Sequence, residues 1–84
     1  MEFVALLHKD QTSDYGVSFP DFPGCITAAS NWDEARRMAV EALSLHIAGM
    51  QEDSEAIPRP STLAELWREP AIKDAVTFLV NVKG

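Results

Sequence analysis

A single cysteine, few basic residues and no long apolar run remove several function classes before any motif is considered. With only Cys25, no intramolecular disulfide can form and no cysteine-based metal site can be built. The seven lysines and arginines are scattered along the chain rather than grouped. Phosphate backbones are held by clustered cationic side chains, so direct nucleic-acid binding, DNA included, is not expected of this chain alone. No stretch approaches the roughly 20 apolar residues of a membrane-spanning helix. The start, Met1-Glu2-Phe3-Val4, lacks the basic-then-apolar layout of a signal peptide. A cytoplasmic protein with no membrane partner is expected.

What remains has the make-up of a globular domain, with 46% apolar and 24% charged residues. The 84 residues suffice for one domain, and residues 1–84 are read as such. A domain this small buries only roughly 60% of its unfolded surface, so oligomerisation would help it. The net charge of −6 suits a basic partner, although mild acidity also serves solubility alone.

Phe3 to His8 is almost wholly apolar on both strand faces, which is usual for a central strand. A polar turn, Lys9 to Asp14, leads to a second strand, Tyr15 to Phe19, so the two form an antiparallel hairpin. Pro20-Asp21-Phe22-Pro23-Gly24 then breaks the ladder, and Cys25 to Ala29 reads as a third strand. Asn31-Trp32-Asp33-Glu34 is a capping box opening a helix that runs to about Gln51. On a helical wheel Ala35, Met38, Ala39, Ala42, Leu45, His46 and Gly49 share the core face. Val40, Leu43 and Ile47 form a stripe beside it, either an interface or a surface lying under the next segment. Pro58 and Pro60 keep 52–60 a loop, Thr62-Leu63-Ala64-Glu65 caps a short helix, and Pro70 ends that neighbourhood. Ala75 to Val82 alternates as a last strand.

The order β-β-β-α-(short α)-β predicts an α+β fold. A right-handed crossover would set the last strand parallel to the first, in sheet order 3-2-1-4, with the long helix on one face. The other face would be open, and its Val4 and Leu6 would need a covering partner.

Three stretches carry a family resemblance: Tyr15 to Thr27 with its Pro-Asp-Phe-Pro-Gly-Cys turn; Asp33-Glu34-Ala35 followed by Ala39, Glu41, Ala42 and Leu43; and Ile57-Pro58-Arg59-Pro60-Ser61. In that order and spacing the chain resembles the HicB family of antitoxins over nearly its whole length. The resemblance implies a partial RNase H-like fold. It also implies a partner, a small basic HicA-type toxin that cleaves messenger RNA. Many members of the family carry a C-terminal DNA-binding domain, and no such domain is expected within this chain. A solo, dimeric regulatory or structural module without a toxin is the alternative function.

No enzymatic activity and no cofactor are expected. RNase H-like catalysis needs carboxylates converging on metal ions. Here the first strand has only Glu2 at its start, and the last strand has no acid. His8 and His46 suggest neither a metal site nor a triad. Cys25 is read as a small buried apolar residue or a reactive thiol, the former being commoner. Asp21 either makes a turn or shapes a docking loop. Candidate partner contacts, chosen by position and charge, are Asp10, Asp14, Asp21 and Phe22. Candidate residues for a homo-oligomer interface, dimer or larger, are Val40, Leu43, Ile47, Phe78 and Val80.

Overall fold

The computed structural model describes residues 1–9, 14–73 and 75–82. Four strands form one sheet in the order β3-β2-β1-β4: β1 (Glu2–Lys9), β2 (Tyr15–Ser18), β3 (Ile26–Ala29) and β4 (Val76–Asn81). The long helix α1 (Trp32–Glu52) lies between β3 and two short helices, α2 (Leu63–Leu66) and α3 (Pro70–Lys73). The order, the mixed α+β class and the central place of β1 are as the strand patterns require.

Both α1 and α2 start as the capping motifs demand. The Glu34 amide donates to the Asn31 side chain at 2.8 Å, and the Glu65 amide donates to the Thr62 hydroxyl at 3.2 Å. The reciprocal half of the first box is replaced, because the Glu34 carboxylate accepts the Ser30 hydroxyl instead. Pro70 does not end its neighbourhood; it opens α3, where a missing N–H costs nothing.

One face of the sheet packs on α1. Phe3 and Ala5 from β1, Val17 from β2 and Val80 from β4 meet Ala35, Ala39, Leu43 and Ile47 of α1. Full burial of each large apolar side chain is worth roughly 1.5–3 kcal/mol, more than a helix cap contributes, so this face sets where α1 sits. The buried row of α1 differs from the wheel expectation. Leu43 and Ile47 are core residues, while Leu45 is 68% exposed. The row 35-39-43-47 climbs in steps of four, and each such step turns about 40° around the axis. Against a twisted sheet the contact line follows this inclined ridge, not one fixed sector of the wheel.

Two further expectations are corrected. β4 pairs with β1 antiparallel, not parallel, with Phe3 opposite Val80 and Leu7 opposite Val76. The helix is only half of the crossover. Residues 53–73 travel back along the sheet, so β4 starts at the same end as α1, where Trp32 meets Phe78 edge-to-face at 5.1 Å. That return path also covers the second face. Val4 and Leu6 are buried beneath Leu66, with Leu63, Ile72 and Ala75 packed around them, so the chain itself supplies the cover expected from a partner.

Candidate functional site

The most specific motif of the sequence folds into two consecutive β-turns. The Phe22 amide donates to the Phe19 carbonyl and the Cys25 amide to the Phe22 carbonyl, each at 3.0 Å. Pro23 and Gly24 are the central residues of the second turn, and Gly24 has φ +88°, as a type II turn requires. The turns drive Phe22 inward. It is 2% exposed and stacks edge-to-face on Phe3 at 4.7 Å and on His46 at 5.7 Å. Phe22 therefore leaves the list of partner contacts, because its ring is already used as the plug of the core.

Asp21 is committed as well. Its carboxylate accepts the Ser61 amide at 2.9 Å and also the Ser61 hydroxyl. This links the 19–25 turns to the segment entering α2, so the turn motif and the Pro58-Arg59-Pro60-Ser61 stretch act as one staple. Of the acidic candidates Asp14 is exposed, at the start of β2, where it borders a shallow depression with His8, Lys9 and Tyr15. Asp10 lies outside the described residues.

The thiol of Cys25 is buried 3.9 Å from the Ala42 carbonyl, and desolvation pushes its pKa up. A raised pKa lowers the thiolate fraction, so the residue is placed as packing rather than as a nucleophile. His46 is half-buried against Phe22. His8 contacts the Ser18 hydroxyl at 3.2 Å on the exposed second face. Among the described residues no group of three metal-ligating side chains converges. Among the described residues no helix is long and apolar enough to cross a membrane.

The oligomer candidates divide. Leu43, Ile47 and Val80 lie at 0%, 3% and 1% exposure, so they hold the chain together and have no surface to offer. Val40 is 41% exposed and Phe78 half-buried; both line a groove between α1 and β4. Residues missed by the sequence reading are Ile26 and Leu79, exposed by 73% and 55%, while Trp67, a large apolar residue at a helix end, is 52% exposed. Ile26 and Leu79 were legible in part, since strand alternation puts them on the face opposite α1. Exposed apolar side chains such as these are available for contact with another surface.

Comparison with known proteins accords with this. The family model described as a HicB-like antitoxin of bacterial toxin–antitoxin systems matches residues 3–84. An uncharacterised 14.9 kDa protein of Haemophilus phage HP1 is 41% identical over 68 residues, covering 81% of this chain and 51% of the relative. Antitoxin HicB 1 of Photorhabdus laumondii is 34% identical over 65 residues, covering 77% of this chain and 42% of the relative. The chain spans about half the length of these relatives. The crystal structure of the N-terminal domain of Burkholderia pseudomallei antitoxin HicB superposes with a TM-score of 0.89 at 36% identity, covering 100% of both chains. A chain from a HicA3 and HicB3 toxin–antitoxin complex shares the fold, with a TM-score of 0.81 at 20% identity. On the family match across nearly its whole length, this chain belongs to the HicB-like antitoxins of bacterial toxin–antitoxin systems.

Proposed function

We propose that this chain binds a small, basic, mRNA-cleaving toxin of the HicA type and neutralises it, acting in the cytoplasm as one binding domain and not as an enzyme. The observation that carries the reading is the superposition, end to end, on the N-terminal domain of an antitoxin, together with the family match over residues 3–84. Charge supports it, since a net charge of −6 attracts a basic partner and speeds encounter. The packing of β1 supports the absence of catalysis. Its centre, Phe3 to Leu6, is buried in apolar contacts on both faces, which fills the place where an RNase H-like site would need a carboxylate. Asp14 and, by its charge, Asp10 serve to steer the toxin, and exposed Trp67 replaces Phe22 as the aromatic anchor.

The test is co-expression with the protein encoded beside this chain. A stable complex in which RNA cleavage is suppressed is the expected result. Free toxin activity in the presence of excess folded chain sinks the reading.

A further inference from the structure

We propose, resting on the antitoxin reading, that the basic toxin docks on the free edge of β3, adding an extended segment to the sheet with its cationic side chains turned toward α1. β3 is the edge strand opposite β4, paired on one side with β2. The register settles which of its backbone groups are free. Met1 and Val82 exchange both N–H···O bonds, each at 2.9 Å. In an antiparallel ladder bonded and non-bonded pairs alternate, so Phe3 is bonded to Val80 on β4, while Leu6–Ser18 and His8–Gly16 are the bonded pairs toward β2. In the next ladder Val17–Thr27 and Tyr15–Ala29 are then the bonded pairs. The N–H and C=O groups of Ile26 and Ala28 therefore point away from the sheet, and among the described residues no other part of the chain bonds to them.

The side chains leave this edge open. β3 carries no charge and no proline, the usual guards of an edge strand. Ile26, 73% exposed, and Ala28, also exposed, stand on the face opposite α1. A strand laid along them gains backbone bonds, the mode by which sheet edges capture extended segments. Two outward residues supply few such bonds, so selection of the occupant falls to the side chains on either side of the edge.

Charge selects a basic occupant. The Cys25 thiol reaches the Ala42 carbonyl at 3.9 Å, and the Ser30 hydroxyl donates to the Glu34 carboxylate at 3.0 Å, so the flank of α1 that carries Glu34 and Ala42 lies beside β3. The helical repeat adds Met38, Glu41 and Leu45 to this flank. It offers carboxylates at Glu34 and Glu41, an apolar step at Leu45, 68% exposed, and no lysine or arginine. The other flank of α1 brings Arg36 and Arg37 beside β4, outnumbering Asp33, and repels a cationic segment from that edge. Asp14 and Ala28 border one depression, which extends the acidic margin of β3; Lys9 in the same depression is drawn over the Tyr15 ring, 5.7 Å from its centroid. The complementary segment alternates cationic side chains, facing Glu34 and Glu41, with apolar ones resting beside Ile26.

The experiment is amide hydrogen exchange of the 84-residue chain, alone and mixed with the basic protein encoded beside it. The amides of Ile26 and Ala28 should exchange at least about tenfold more slowly in the complex, while those of Thr27 and Ala29, already bonded to β2, should change less. Ala28→Pro removes one outward N–H at a solvent-facing edge position, where proline is tolerated, and should abolish capture by a chain that stays folded. Glu41→Lys, on exposed helix surface, should slow association about tenfold at low salt and by less at high salt. If the parent chain captures nothing, the antitoxin reading falls and the β3 assignment with it. If it captures the toxin while the Ile26 and Ala28 amides exchange as in the free chain, or while a folded Ala28→Pro or Glu41→Lys chain binds like the parent, the β3 assignment alone is overturned.

Discussion

The two faces of the sheet are built to different standards. Among the described residues the α1 side holds thirteen buried residues in one continuous cluster, four of them on α1 itself, and the largest fully buried ones are Phe3, Phe22, Leu43, Val17 and Val80. The opposite face has three, Val4, Leu6 and Leu66, under two helices of four residues each. The first face specifies the fold. The second is a thin cover that leaves Ile26, Leu79 and Trp67 at the surface. The binding role proposed above needs both: a core rigid enough to hold its shape and apolar surface not consumed by that core. The contrast also explains why the most specific sequence motif is structural. The Pro-Asp-Phe-Pro-Gly-Cys turn points Phe22 into the thick face and ties Asp21 to the strap leading to the thin one.

The contrast can be broken by substitution. Phe22→Ala should show the largest effect, a loss of about 3–5 kcal/mol in urea unfolding, because it empties the centre of the thick face. A loss below about 1 kcal/mol would mean that the turn collapses into the space and that the face is not close-packed. Leu66→Ala should cost about 2 kcal/mol, near the lower end for such truncations, since a thin cover relaxes more easily than a closed core. If it costs as much as Leu43→Ala measured in parallel, the two faces are equals and the comparison fails.

Asp21→Ala tests the link between the faces. It leaves the Ser61 amide without its acceptor and should cost about 1–2 kcal/mol. Amide exchange should rise first in residues 61–72, before the strands under α1 are affected; a uniform rise would show that the staple belongs to the core rather than to the cover. The smallest effect concerns Cys25, whose pKa burial raises. The unfolded thiol ionises at lower pH than the folded one. Its contribution to stability is therefore complete below the ordinary thiol pKa and is lost as pH rises through the folded value. In parallel pH titrations the stability gap between the parent chain and Cys25→Ala should be constant from acid to neutral pH, set by the lost packing alone, and should change only on the alkaline side; a gap that changes below neutral pH would refute this assignment.

By itself the sequence determined the elements and their local signals. Strand alternation marked the faces of β2 and β4, Asn31 and Thr62 marked helix starts, and Pro23-Gly24 marked a turn that only glycine at the second position satisfies without strain. These features arise from interactions within a few residues, so they are written in neighbouring positions. The sheet order was legible too, because an apolar run on both faces could only be β1 in the middle.

The tertiary structure alone decided the rest. Whether 53–73 crossed directly or doubled back over the second face depended on contacts such as Asp21–Ser61, forty positions apart, which no local pattern encodes. That path made β4 antiparallel and covered Val4 and Leu6. The wheel named the apolar positions of α1 but not the angle at which the helix crosses a twisted sheet, and that angle buried Leu43 and Ile47 while exposing Leu45. Phe22 looked like a contact because loop residues commonly face solvent; the two turns around it faced it inward. Periodicity states which side chains share a face, and only packing states what that face meets.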